Sequence, residues 1–215
     1  SKPINEKYLN LELDTWVDIS PNTGNGDCGY IMKSASGSYY RSNNSNLFIK
    51  NGGTSGCSYG VRGWIKYDIS SIPNSADIEE FWQYVYSFNL TEGNVDWLNY
   101  DIRRLDSNPS SSSNSDLWDD IYNGTIYEDN EYVCVPCNST GYEYSKLDPP
   151  AISDLQNALT SNWFGLGYMV DCDENDEDYE VKFYGYNTSY PPYIAVEYSI
   201  PTCNNSNACN YGEEG

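Results

Sequence analysis

The chain has no histidine. That removes the commonest general base, the Ser-His and Cys-His nucleophile pairs, and every imidazole metal ligand. Basic residues are also scarce, with 11 Lys and Arg against 32 Asp and Glu and a formal net charge of −21. Nucleic-acid binding needs Lys and Arg to neutralise phosphates, so DNA and RNA are excluded as partners, and anionic membrane surfaces are disfavoured. No apolar run approaches the roughly 20 residues of a membrane span, so membrane insertion is not expected. No signal-peptide pattern opens the chain, which reads as a mature protein or a piece of one. Helix-favouring Ala, Lys, Met and Arg are few as well, with only 2 Met.

What the chain has instead is Gly, Asn, Ser and aromatic residues: 22 Tyr and 6 Trp bring the aromatic share to 15%. Tyrosine combines apolar area with a hydroxyl that wants a partner, which suits half-buried sheet faces and contact surfaces. A length of 215 residues fits one all-β domain of generous size or two small ones. Seven cysteines (Cys28, Cys57, Cys134, Cys137, Cys172, Cys203 and Cys209) point to a metal site or an oxidising compartment. A structural zinc site wants two close pairs or histidines, and only Cys134 and Cys137 lie close together. Six N-x-S/T sequons begin at Asn43, Asn89, Asn123, Asn138, Asn187 and Asn204. Together with the acidic, Cys-bearing, His-free composition they indicate a secreted glycoprotein, extracellular or at a cell surface.

Alternation defines the strands. Leu9, Leu11 and Leu13 alternate with polar residues towards Trp16. Ile65, Tyr67 and Ile69 share one face of the segment Trp64 to Ile69. In Trp82 to Leu90 the positions Trp82, Tyr84, Tyr86, Phe88 and Leu90 share one face and are expected inward. Gln83, Ser87 and the sequon Asn89 are then expected on the polar, outward face. Asn99 to Leu105 is a further strand. Three more close the domain, with Phe164/Leu166/Tyr168/Val170, Tyr179/Val181/Phe183 and Ile194/Val196/Tyr198/Ile200 facing in. A capped helical turn is expected at Ser115 to Ile121, with Leu117 and Ile121 on one side. A second short helix is expected after Pro149-Pro150, with Ile152, Leu155 and Leu159 inward. The Ser/Asn/Pro stretch Ser107 to Ser115 reads as a flexible loop open to O-glycosylation. Many short strands with regular turns predict an all-β, two-sheet sandwich over residues 1–200, followed by a Cys-containing tail or linker at 201–215.

Four stretches resemble the DNRLRE-type jelly-roll domain of surface proteins, which is related to carbohydrate-binding modules. They are Arg62-Gly-Trp-Ile-Lys-Tyr-Asp-Ile-Ser-Ser-Ile-Pro73, Ala76-Asp-Ile-Glu-Glu to Phe88, the Trp118 turn with Gly124-Thr-Ile-Tyr127, and Tyr190-Pro-Pro-Tyr-Ile-Ala-Val-Glu-Tyr198. The resemblance implies a two-sheet jelly roll in an extracellular, often repetitive or adhesive protein, and it supplies no catalytic residue. The cysteines and dense sequons depart from that pattern. The tail's Ala208-Cys-Asn-Tyr211 is similar to a short Cys-containing repeat of large surface proteins.

Carboxylate pairs at Asp119/Asp120 or in the run Asp171 to Glu180 could in principle cleave glycosides. Adjacent acids on a strand point to opposite faces, however, so solvated acidic loops are the preferred reading and no enzyme is expected. The run Asp171 to Glu180 offers hard oxygen ligands, with Asp171, Asp173 and Asp176 the candidates for a structural calcium; no other cofactor is implied. It lacks the Gly and distal Glu of an EF-hand loop, so an exposed acidic hairpin is the preferred reading. Trp16, Trp97, Trp118 and Trp163 lie near strand ends or loops and are candidates for sugar platforms, against the commoner core role. Cys28 is expected to pair with Cys57 and Cys203 with Cys209. Cys134 or Cys137 would then join Cys172, leaving one for another chain or for sequence beyond this one. Residues 1–17 could extend and donate a strand to a neighbouring copy, although completing its own sandwich is the favoured role of that strand. The functional expectation is a structural subunit of a surface filament, coat or adhesin whose partners are copies of itself. The alternative is a carbohydrate-binding module with a polysaccharide partner.

Overall fold

The computed structural model describes residues 14–21, 27–43, 46–51, 57–91, 97–134, 141–170 and 180–201. Six strands come first: β1 (Thr15–Ile19), β2 (Cys28–Lys33), β3 (Tyr39–Asn43), β4 (Leu47–Asn51), β5 (Gly60–Asp68) and β6 (Asp77–Thr91). Six more follow: β7 (Trp97–Arg104), β8 (Ile126–Cys134), β9 (Gly141–Lys146), β10 (Trp163–Val170), β11 (Glu180–Phe183) and β12 (Tyr193–Ser199). Helix α1 (Asn114–Asn123) separates β7 from β8, and α2 (Pro149–Ala158) separates β9 from β10. The fold is all-β.

Every strand pairing is antiparallel, and hydrogen bonds link all twelve strands into one sheet. The order runs β1-β12-β6-β11-β4-β5-β10-β7-β8, with β2 and then β3 joined at β5 and β9 joined at β6. The sheet curls on itself, because strands far apart along this path touch through their side chains. β6 and β10 are separated by three strands, yet Phe81 meets Phe164 edge-on at 5.4 Å and Tyr168 Oη donates to Gln83 Oε1 at 2.6 Å. Tyr100 of β7 likewise reaches Phe183 of β11 at 5.6 Å.

The inner core follows from alternation in these strands. Ile65, Tyr67 and Ile69 all point into it, as do Phe164, Leu166, Tyr168 and Val170 of β10. Val181 and Phe183 of β11 and Ile194, Val196 and Tyr198 of β12 complete the wall. α2 adds Ala151 and Leu155, with Leu159 just beyond it and Ile152 packed at the margin. The sequence expectations for these segments hold, with Tyr179 lying outside the described residues.

α1 is longer than the single turn expected, and it covers the outer face of the sheet around β5 and β10. Ser113 Oγ caps it by accepting from the Asp116 N–H at 3.2 Å. Leu117, Trp118 and Ile121 then pack on Trp64, Ile31, Leu105 and Met169 as a second core. Close approach depends on Gly167, where an added Cβ would lie 3.0 Å from Ile121. The preceding Ser/Asn/Pro stretch is a hydrogen-bonded turn rather than an open loop. The Asn108 carbonyl accepts from the Ser111 and Ser112 N–H groups at 3.0 Å each, and Arg41 ties down the Ser112 and Pro109 carbonyls.

β6 reverses an expectation. Phe81, Gln83, Val85 and Ser87 are the buried set, whereas Trp82, Tyr84, Tyr86 and Phe88 face outward and are half-buried. Gln83 belongs inside because it accepts the Tyr168 hydroxyl, and Ser87 because its hydroxyl meets Glu143 Oε1 at 3.3 Å. A buried tyrosine hydroxyl needs a partner, so polar side chains occupy core positions opposite it. β1 pairs with this chain's own β12 from Thr15↔Tyr198 to Ile19↔Ile194, completing its own sheet. Leu9, Leu11 and Leu13 lie outside the described residues, as does the Leu90 side chain. The inversion is testable by urea unfolding followed by circular dichroism. Val85→Asp buries an unpaired carboxylate and is expected to abolish cooperative folding. Tyr84→Ser on the outer face is expected to cost no more than about 2 kcal/mol.

Candidate interaction surfaces

The outward residues of β6 begin a face of aromatic rings, built by direct cross-strand pairing. Tyr84 lies opposite Tyr193 of β12, their rings stacked at 4.4 Å and 4°. On the other side, Tyr86 and Tyr84 lie opposite Tyr142 and Tyr144 of β9, at ring separations of 5.2 and 5.9 Å. The connection from β11 to β12 folds back so that Tyr190 stacks on Tyr86 at 4.4 Å, while Tyr184 stacks on Phe88 at 4.3 Å. Trp16 of β1 pairs with Glu197, which alternation places on the same side as Tyr193, so the indole extends the face. Tyr144 is 64% exposed and Trp16 50%. Tyr84 and Tyr193, Tyr86 and Tyr190, and Phe88 and Tyr184 stack face to face, whereas Tyr142 and Tyr144 meet their neighbours at tilted or edge-on angles. At one end Lys146 pairs with Glu80 and lies 5.5 Å over the Trp82 ring, so that carboxylate is neutralised and held below its usual range.

The basic side chains near α1 are used differently. Arg62 is only 3% exposed, with its guanidinium 3.7 Å from the Trp118 ring centroid and 4.9 Å from that of Tyr122. It donates to the Trp118 carbonyl at 2.6 Å and the Cys57 carbonyl at 2.8 Å. Burial lowers its pKa to about 9, partly offset by the nearby Asp119 carboxylate. Lys33 also lies over Trp118, and Arg41 over Trp64 at 4.8 Å. These cations fasten α1 to the sheet.

Two clefts flank the start of β10. One, of about 290 Å³, is lined by Arg104, Asp106, Tyr127, Asp154 and Asn157, with Trp163 at its side. The other, of about 250 Å³, is lined by Asp27, Lys66, Asp68, Ser70 and Asn162, again with Trp163. Asn162 adopts φ 60°, in the left-handed region, as the 3-10 turn Leu159–Ser161 gives way to the strand. Ser161 Oγ accompanies it, donating to the Ala158 carbonyl at 2.8 Å.

The predicted site residues scatter. Asn43, Asn123 and Asn187 are exposed. The Asn89 side chain and all of Asn138 and Asn204 lie outside the described residues, as do the calcium candidates Asp171, Asp173 and Asp176. So do Cys137, Cys172, Cys203 and Cys209 and the side chain of Cys134. The expected bond between Cys28 and Cys57 is not made. Cys28 is a buried thiol facing the inner core, hydrogen-bonded to the Tyr186 backbone. Cys57 packs beside the second core, across the sheet from it, with Sγ 3.6 Å from the Val170 carbonyl oxygen. Asp119 and Asp120 do not converge: Asp119 is exposed, while Asp120 accepts from the Ser107 N–H at 2.7 Å. Of the tryptophans proposed as platforms, Trp118 is buried beneath Arg62, Trp16 lies on the tyrosine face, and Trp163 borders both clefts. The Trp97 side chain lies outside the described residues. The tyrosine face arises only when β9 and β12 pair with β6, although the alternation of Tyr142 and Tyr144 is itself a strand signal in the sequence.

Burial raises the Cys28 thiol from 9.0 to about 12 and pushes the Tyr67, Tyr100 and Tyr168 hydroxyls well above their usual range. The folded chain keeps these protons where the unfolded chain releases them. Their contribution is therefore complete below the Cys28 reference value of 9.0 and declines as pH rises towards 12. Stability measured by urea titration is expected to fall steadily over that window. At pH 8, iodoacetamide without reductant is expected to mark Cys28 only after unfolding, as read by peptide mass spectrometry. No family model matches the chain, and no curated protein matches it, so its own surfaces carry the functional reading.

Proposed function

We propose that this chain is a non-catalytic, extracellular structural glycoprotein domain, a jelly-roll subunit that assembles with copies of itself into a surface filament, coat or adhesin. The observation that carries the reading is the tyrosine face. One outer side of the curled sheet is covered by α1, whereas the side formed by β6, β9 and β12 presents Tyr84, Tyr142, Tyr144, Tyr190 and Tyr193. A chain of net charge −21 repels its own copies over most approaches. A face dominated by tyrosines, with Glu80 neutralised by Lys146 and the carboxylates Asp18 and Glu197 confined to its β1 side, lets two copies meet with less of that repulsion. Tyrosine suits such a contact, because it brings large area at low entropic cost and a hydroxyl for polar pairing.

Two further observations support the reading. Asn43, Asn123 and Asn187 are exposed, as glycan acceptors must be. Contacts such as Phe81 with Phe164 between distant strands fit the opposed sheets of a jelly roll, as in the DNRLRE-type domains that the sequence resembles. Assembly through this face uses no donated strand, in keeping with β1 completing its own sheet.

The test is sedimentation velocity across the micromolar range, with negative-stain electron microscopy of the same samples. Concentration-dependent dimers or filaments are expected from the native glycoprotein. The double variant Tyr144→Ser, Tyr190→Ser should stay folded and weaken association at least about tenfold, because aromatic anchors at the centre of a contact dominate its energy. A native protein that remains monomeric throughout, or association untouched by the double variant, overturns the reading.

A further inference from the structure

We infer that Tyr144 is a site of oxidative phenol coupling, at which copies of this chain become joined by a carbon–carbon bond between tyrosine rings. The arrangement of rings around Tyr144 carries the inference, and the supply of the second ring rests on the assembly reading.

Exposure alone does not single out Tyr144, which is 64% exposed where Tyr40 is 59% exposed. Its neighbours do. From Tyr144 the rings continue to Tyr84 at 5.9 Å, from Tyr84 to Tyr193 at 4.4 Å, and from Tyr193 to Tyr142 at 5.6 Å. Tyr142 leads on to Tyr86 at 5.2 Å, and Tyr86 to Tyr190 at 4.4 Å and Tyr184 at 5.5 Å. Each of these rings is a phenol in contact with the next, so an electron lost anywhere on the face can be drawn from Tyr144. Tyr40 has no such continuation: it meets Tyr30 at 6.4 Å, and Tyr30 meets Phe48, a benzene ring far harder to oxidise that lies beneath Lys182. Tyr122 is disfavoured for another reason. The Arg62 and Arg103 guanidinium groups stand 4.9 and 6.0 Å from its ring, and positive charge opposes the loss of an electron. Lys146, 5.5 Å over Trp82, protects that indole likewise and leaves the oxidation on the tyrosines.

The chemistry balances with hydrogen peroxide as the oxidant, used by a haem peroxidase. One phenol of each copy gives up an electron and its phenolic proton, and the two phenoxyl radicals join through ring carbons ortho to oxygen. The hydrogens on those carbons move to the oxygens as the rings regain aromaticity. The peroxide O–O bond breaks, and both oxygens leave as water. Within the array, the Asp18 carboxylate acts on the Tyr193 hydroxyl and can receive its proton. Tyr84 and Tyr193 are parallel to within 4° and held in register by the β6–β12 ladder, so they relay oxidation without coupling to each other. Tyr144 meets Trp82 and Tyr84 at tilts of 44° and 31°, unstacked, and is the ring most accessible to a second copy.

The experiment treats the native glycoprotein, at a concentration where sedimentation shows association, with hydrogen peroxide and a haem peroxidase. Dimers that survive detergent and reductant, with dityrosine fluorescence, are expected. Peptide mass spectrometry is expected to place Tyr144 in the linked peptides ahead of Tyr40 and Tyr122. Tyr144→Phe keeps the ring and removes the phenol; brought by concentration to the same associated fraction, it should lose most of the covalent dimer. Tyr40→Phe should lose none. A parallel reaction with a biotin-bearing phenol reads the site without self-association, and its label is expected on Tyr144 ahead of Tyr40. A monomeric chain labelled at Tyr144 would sink the assembly reading and leave the coupling site standing. Association without covalent dimers, label or links at Tyr40 as abundant as at Tyr144, or a dimer yield indifferent to Tyr144→Phe overturns the inference.

Discussion

Side-chain alternation along β6 is the constraint on which the rest of the molecule depends. This strand pairs with β12, β11 and β9, so its two faces decide what lies on both sides of that part of the sheet. Once Phe81 and Val85 enter the core, Trp82, Tyr84, Tyr86 and Phe88 must point outward, because successive side chains cannot share a face. The neighbouring strands follow the same parity. β9 presents Tyr142 and Tyr144 outward while Ser145 is buried, and β12 presents Tyr193 outward while Ile194 and Val196 are buried. One parity decision thus sets the interior of the domain and the composition of its uncovered face.

The few cations are placed where they hold the architecture. Arg62 and Arg41 lie over buried tryptophans and bind backbone carbonyls around α1. Arg103 pairs with the buried Asp101, and Arg104 organises Asp106 and Asp154 at the larger cleft. Among the described residues, little positive charge is left over to attract an anionic partner. A surface of this net charge opposes close approach of like-charged copies, least where rings and hydroxyls outnumber carboxylates. Glycans at exposed sites such as Asn43, Asn123 and Asn187 would narrow the choice of contact surface further.

The tyrosine face and the Trp163 clefts divide the aromatic residues into two functional styles. On the face, rings pack against rings across three strands, stacked at Tyr84/Tyr193 and Tyr86/Tyr190 and tilted or edge-on around Tyr142 and Tyr144. At the clefts a single indole borders open space lined by paired polar groups.

Much of the architecture was determined by the sequence alone, because it rests on local rules. The alternation of Ile65, Tyr67 and Ile69, the apolar run of β10, and the spacing of Leu117 and Ile121 each identify an element and its buried side without knowledge of its neighbours, although the helix is capped by Ser113 rather than beginning at Ser115. Alternation in β6 identified a strand equally well but could not say which face was buried. Both faces carry large apolar side chains, and the polar Gln83 and Ser87 mimic a solvent face. Only the tertiary structure decided that point, by bringing the Tyr168 hydroxyl and Glu143 against those two residues so that polar groups became core partners. Long-range proximity also decided that Cys28 is a buried thiol rather than a partner of Cys57, since the two lie on opposite sides of the sheet. The convergence of Arg104, Tyr127 and Asp154 beside Trp163 arises the same way, from residues on separate elements that only the curl of the sheet and the docking of α2 bring together.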